Sequence, residues 1–181
     1  MKNNRFTILT VLIISLNSYR CTAQEQNSNL TITRSNVDIS KIKEYKFPKP
    51  TGYVNDFEDL LNEEQEKELA KFLTDYEQKT TNEIAVITMN SIEPYSDFNQ
   101  YAIDLSNNWG IGKKEKDNGL TIIVSKSMKK IRVTTGIGTE RILTDEFCKK
   151  VIDQFMVPKF KEGDYYNGIR QGLTVFIKQW E

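Results

Sequence analysis

The chain has 181 residues, with 25 Lys and Arg balanced by 25 Asp and Glu, and it contains no histidine. The missing imidazole excludes Ser-His-Asp and Cys-His catalysis, histidine-ligated zinc and phosphohistidine chemistry. Residues 1–23 hold Lys2, Arg5 and Arg20 and no acid, so the remainder has 22 basic and 25 acidic residues, a balance that argues against nucleic acid as partner.

Lys2 and Arg5 form a short basic start, residues 6–16 are mostly apolar, and Cys21-Thr22-Ala23 places small residues where a signal peptidase cuts. Residues 1–23 therefore read as a signal peptide cleaved after Ala23. An apolar run of 11 residues is too short to span a bilayer core, which needs roughly 20. A buried N-terminal helix is one alternative. Lipidation of Cys21 is another, although Arg20 directly before it is not the small residue such signals prefer. The expected location is thus outside the cytoplasm, periplasmic or secreted. Removal of residues 1–23 leaves Cys148 as the sole cysteine, without an internal disulfide and within an apolar helical pattern that suits a buried thiol. No later apolar run approaches 18 residues, so the mature chain has no expected transmembrane segment.

Residues 24–51 are polar, rich in Asn, Ser, Thr and Lys, and end in Phe47-Pro48-Lys49-Pro50, the composition of a linker. From Asn62 the pattern becomes helical, with Leu61, Leu69, Phe72, Leu73 and Tyr76 on one face and a Glu63/Lys67 pair on the other. Ile84-Ala85-Val86-Ile87 reads as a buried strand. Phe98, Tyr101, Ala102, Leu105 and Trp109 mark a second helix, stopped by Gly110. Residues 120–124 form a near-continuous apolar run, expected of a central strand. Ile131-Arg132-Val133-Thr134 alternates, as a strand with one wetter face does. Phe147, Val151, Ile152, Phe155 and Met156 mark a third helix ending near Pro158. A fourth carries Ile169, Leu173, Phe176, Ile177 and Trp180.

The expected order is α-β-α-β-β-α-α. Strand, crossover helix and strand imply a right-handed parallel pair, and the next strand returns antiparallel across a short turn. The fold class is α/β, a three-layer α/β/α sandwich around a small mixed sheet, with one domain over residues 52–181.

A turn centred near Met128 would set residues whose numbers sum to about 256 opposite each other. Asp117 then faces Thr139, beside Glu140, and the next helix start brings Asp145 to the same edge. With the amide oxygen of Asn118 these acids form an all-oxygen set of the kind that Ca²⁺ or Mg²⁺ prefers. Gly110, Gly112, Gly136 and Gly138 would let backbone carbonyls turn inward beside it. Lys113, Lys114, Lys116 and Arg141 nearby suit a phosphate next to a cation equally well. A plainer reading of the same residues exists: Asp117-Asn118-Gly119 is a turn sequence, Asp145 a first-turn helix acid, and Glu140 a solvated charge. Gly136-Ile137-Gly138 lacks the third glycine of a dinucleotide fingerprint, and Gly110-Ile111-Gly112-Lys113 lacks the phosphate-loop spacing. Asp56-Phe57-Glu58-Asp59 resembles an acidic stretch leading into a helix.

Several motifs recur together in one family. They include Gly52-Tyr53-Val54-Asn55-Asp56, Glu83-Ile84-Ala85-Val86, Trp109-Gly110-Ile111-Gly112 and Lys116-Asp117-Asn118-Gly119. Gly136-Ile137-Gly138-Thr139-Glu140, Leu143-Thr144-Asp145 and Met156-Val157-Pro158-Lys159-Phe160 before Gly163-Asp164-Tyr165 complete the series. Over about residues 52–180 the chain resembles the TPM domain family, founded on a thylakoid lumen protein, a photosystem II repair protein and a receptor modulator. The resemblance implies an α/β/α sandwich, a location outside the cytoplasm, and binding of Ca²⁺ or other divalent cations. It also implies acid phosphatase activity in a plant member. Carried over by motif, Asp117, Glu140 and Asp145 are the expected metal ligands, with Asp56 a fourth that rests on resemblance alone. Many bacterial relatives continue into a transmembrane helix and a Gly-rich tail, whereas this sequence ends at Glu181.

Two functions are consistent with these readings. One is an exported divalent-cation-binding module in envelope protein maintenance or interaction. The alternative is a metal-dependent acid phosphatase acting on a phosphomonoester, with water activated by the cation, since histidine is absent and no phosphatase nucleophile motif is present.

Overall fold

The computed structural model describes residues 47–181. The signal peptide, Cys21 and residues 24–46 of the expected linker lie outside the described residues. Residues 47–50 have no regular structure, but Phe47 and Pro48 are packed. The Phe47 ring lies 5.9 Å from that of Tyr95 and 5.5 Å from that of Tyr101, and Trp109 Nε1 donates to the Pro48 carbonyl at 2.9 Å.

A short strand that the sequence pattern did not reveal comes first. β1 (Val54–Asp56) pairs in parallel with β2 (Glu83–Thr88), Val54 opposite Val86. Three residues are too few to display a period of two, so only the neighbour strand defines this element. Between them runs α1 (Glu63–Thr80), which begins where the sequence places it. Asn62 Oδ1 accepts from Gln65 N at 2.9 Å, and Gln65 Oε1 accepts from Asn62 N at 3.0 Å, a reciprocal cap. α2 (Phe98–Trp109) is capped by Asp97 and ended by Gly110 at φ 66°. It leads to β3 (Gly119–Ser125), parallel to β2, and β4 (Lys130–Thr135), antiparallel to β3. The sheet order is β1-β2-β3-β4. Ile122 pairs with Val133, so partner numbers sum to 255, one residue from expectation.

Alternation along the strands divides the core in two. On the first face Ile84, Val86, Leu120, Ile122, Val124 and Val133 pack with α1 and the C-terminal helices. On the second, Ile87 and Ile123 pack with Phe98, Tyr101, Ala102 and Leu105 of α2. This is an α/β/α arrangement with unequal covers. Among the described residues one helix serves the second face, and it leaves part of β4 open.

After β4 come α3 (Ile137–Glu140), α4 (Asp145–Val151), a π-helical turn (Ile152–Met156), α5 (Val157–Lys161) and α6 (Tyr165–Trp180). The helix does not end near Pro158. Pro158 falls in the first two positions of α5, where a missing N–H removes no helical bond, and the wider π turn just before it joins the two segments. Cys148 is a buried free thiol in the first core. Among the described residues no helix is long and apolar enough to cross a membrane.

Candidate functional site

The open part of the second face forms a cavity of about 280 Å³ between α2 and β4. Its lining follows from strand parity. Val133 turns into the first core, so Arg132 and Thr134 project to the second face, opposite Ile123 and Thr121 of β3. From α2, Ser106 Oγ lies 2.8 Å from Thr134 Oγ1, which fixes the helix against the strand. Glu140, at the end of α3, and Asp145, at the start of α4, supply the carboxylates of the lining.

Arg132 Nε is buried and has no hydrogen-bond partner among the described residues. A buried donor of this kind costs about 1–3 kcal/mol, more for a charged group, unless something outside the chain accepts from it. The charges of Asp145 and Arg132 both reach Cys148. Burial pushes the thiol up to about 11, Asp145 adds to the rise, and Arg132 opposes it. Cys148 Sγ donates to the Leu143 carbonyl at 3.6 Å, so it is a packed, protonated thiol rather than a nucleophile.

The five acid and amide candidates separate. Glu140 and Asp145 share the cavity. Asp117 is exposed and does not line it. Its main chain does reach the expected place: the Asp117 carbonyl accepts from Gly138 N at 3.1 Å and from Thr139 Oγ1 at 3.5 Å. Asn118 has its amide fully engaged. Oδ1 accepts from Lys113 N at 2.9 Å, and Nδ2 donates to the Thr81 carbonyl at 2.8 Å and to Asn82 Oδ1 at 3.0 Å, tying this loop to the end of α1. Asp56 sits at the other end of the strands and organises the entry to α1. Its carboxylate accepts from Leu60 N at 3.1 Å, Leu61 N at 2.7 Å and Thr88 Oγ1. Among the described residues no three Asp, Glu or Cys converge to hold a metal ion.

Gly136 and Gly138 sit at a close crossing of main chain. A Cβ on Gly136 would stand 2.1 Å from the Asp117 carbonyl oxygen, and one on Gly138 would stand 2.0 Å from that of Lys116. They let the loop before β3 cross the segment after β4 backbone to backbone. The same loop is anchored by charge. Lys113 Nζ bonds Glu77 Oε1 at 2.6 Å, and that contact, with a hydrogen bond from Tyr53, holds the Glu77 carboxyl below its usual range. The reciprocal bond to Glu77 pushes the Tyr53 hydroxyl up to about 12.

Two carboxylates alone do not make a Ca²⁺ cage, which takes 6–8 oxygens. They do fit a cation such as Mg²⁺ that keeps water and shares phosphate oxygens with its ligand. Arg132 was not among the candidates read from sequence. Its signal was present in the alternation of residues 131–134, but only the single-helix cover of that face turns a strand arginine into a cavity arginine.

The TPM domain family model matches residues 54–179. Among solved structures, the N-terminal domain of a P. gingivalis protein is similar, with 28% identity and a TM-score of 0.65. That match covers 71% of this chain and 82% of that one. The BA42 protein of Bizionia argentinensis shares 22% identity at a TM-score of 0.59, covering 68% of this chain and 88% of that one. The N-terminal domain of a Corynebacterium glutamicum protein shares 12% identity at a TM-score of 0.56, covering 76% and 86%. The latter two matches bear on the fold. A comparison with curated proteins gave no match. The chain belongs to the TPM domain family.

Proposed function

We propose that this TPM domain is an exported module that binds a phosphate-bearing ligand together with a divalent cation in the cavity between α2 and β4, acting in envelope protein maintenance or interaction. The observation that carries this reading is the unpartnered Arg132 Nε in a cavity whose other charged lining groups are Glu140 and Asp145. A guanidinium beside a bare cation is repulsive, whereas a phosphate between them attracts both. Mg²⁺ fits this donor set better than Ca²⁺, because two carboxylates, water and phosphate oxygens complete its preferred shell.

A metal-dependent phosphomonoesterase is the second reading, favoured by the same convergence of Arg132 with two carboxylates. A cation held there would supply Lewis acidity and activate water. The chain's own contribution would be to bind and orient the phosphate. Ser106 Oγ donates to the Ala102 carbonyl at 2.7 Å and shares its other contact with Thr134, so it is not activated by a base.

The binding reading is tested by NMR titration of the protein with inorganic phosphate and Mg²⁺. The Arg132 Nε–H resonance and the amides of Glu140 and Asp145 are expected to shift together, with the Asp56 region unchanged. Shifts confined to exposed loops away from Arg132 would overturn it.

A further inference from the structure

On the first face, where the tip of the β3–β4 hairpin meets α5 and α6, lies a second hollow of about 640 Å³. Its floor is the cross-strand pair Val124 and Ile131, and its wall is Val157 with the stacked rings of Phe160 and Tyr165, 4.9 Å apart. Around this apolar interior stand Lys126, Lys129, Lys130 and Lys161, all exposed, and among the described residues no carboxylate lines it. None of the four is in an ion pair among the described residues. Lys126 Nζ instead stands over the Tyr165 ring, 5.8 Å from its centroid. Glu58 is already used: its carboxylate accepts from Lys126 N at 2.9 Å and Ser127 N at 2.7 Å, which holds the hairpin tip.

We propose that this hollow binds a single-chain anionic amphiphile, its acid head among the lysines and its apolar chain against Val124, Ile131 and Phe160. Four cations at one rim, on a chain whose overall charge is balanced, are a local complement to an anion. The volume falls within the range of small-molecule sites, roughly 300–1,000 Å³. A peptide is a poorer occupant, because apart from the edge of β4 the apolar lining offers its backbone few hydrogen-bond partners. Ser125, the uncharged hydroxyl of the strand lining, is already bonded to Ser127 Oγ and Met128 N, both at 3.2 Å. This site is separate from the Arg132 cavity and lies on the opposite face of the sheet.

The test is calorimetric titration of the protein with decanoate below its micelle concentration, beside decanol, acetate and an oligoglutamate peptide. Decanoate is expected to bind at least tenfold more tightly than decanol or acetate. Lys129→Gln with Lys161→Gln is expected to weaken decanoate about tenfold, or about 1.4 kcal/mol, without changing the melting temperature or phosphate binding at Arg132. Equal binding of decanol would remove the role of the lysines, and equal binding of acetate that of the hollow. Tighter binding of the peptide would make this a protein-docking face. Any of these results, or no binding of decanoate, overturns the proposal.

Discussion

Arg132 and Cys148 illustrate how little of a side chain's task is visible in its own identity. Residues 131–134 read correctly as a strand with a wetter face, yet wetness there comes from a cavity that α2 fails to fill. Asn118 shows the reverse: a donor set that looked metal-ready is fully consumed by Lys113, Thr81 and Asn82. Sequence spacing gives the meeting of Asp117 with residues 138 and 139, but it cannot tell main-chain from side-chain contact. Cys148 supplies a measurable consequence. Its thiol is held up to about 11, so the fold keeps a proton that the unfolded chain releases near pH 9. That contribution is complete below pH 9 and falls as pH rises toward 11, by up to about 1.4 kcal/mol per pH unit. Urea unfolding at pH 8, 9 and 10 should show stability declining between 9 and 10, with a smaller decline in Cys148→Ala. An unchanged slope in the variant would remove the thiol as its cause.

At the scale of elements, the long periodic segments were legible and the short ones were not. Asn62 and Gly110 mark the ends of α1 and α2 because capping chemistry is local. β1 and α3 have 3 and 4 residues and exist through their neighbours. Pro158 misleads because the π turn before it lets the helix continue. The close crossings also differ in kind. A Cβ at Gly136 meets the Asp117 carbonyl, which is backbone, whereas one at Gly172 meets Met156 Cγ at 2.7 Å, a flexible side chain. Thermal unfolding should therefore find Gly136→Ala destabilised by about 3 kcal/mol and Gly172→Ala by less. The reverse order would mean that the crossing is looser than its distances imply.

For the molecule as a whole, the fold class and family were open to reading because seven motifs span the domain in a fixed order. The proposed ligand site was less so, since it depends on which sheet face one helix leaves bare. Export is the sequence expectation with the simplest check: the protein recovered from periplasm or medium should begin at Gln24 by mass spectrometry. A chain retaining residues 1–23, or a lipid on Cys21, would contradict cleavage after Ala23.

The most direct measurement is the affinity for Mg²⁺ with and without saturating inorganic phosphate, in the wild-type protein and in Arg132→Met. If Arg132, Glu140 and Asp145 form one site, phosphate should tighten Mg²⁺ binding about 5- to 150-fold, the usual span of coupled sites. Mg²⁺ should tighten phosphate binding by the same factor. Arg132→Met should abolish that coupling while leaving the ligand-free fold at least as stable, because it removes a buried unpaired donor. Equal Mg²⁺ affinity with and without phosphate, or coupling that survives in Arg132→Met, would contradict a shared site.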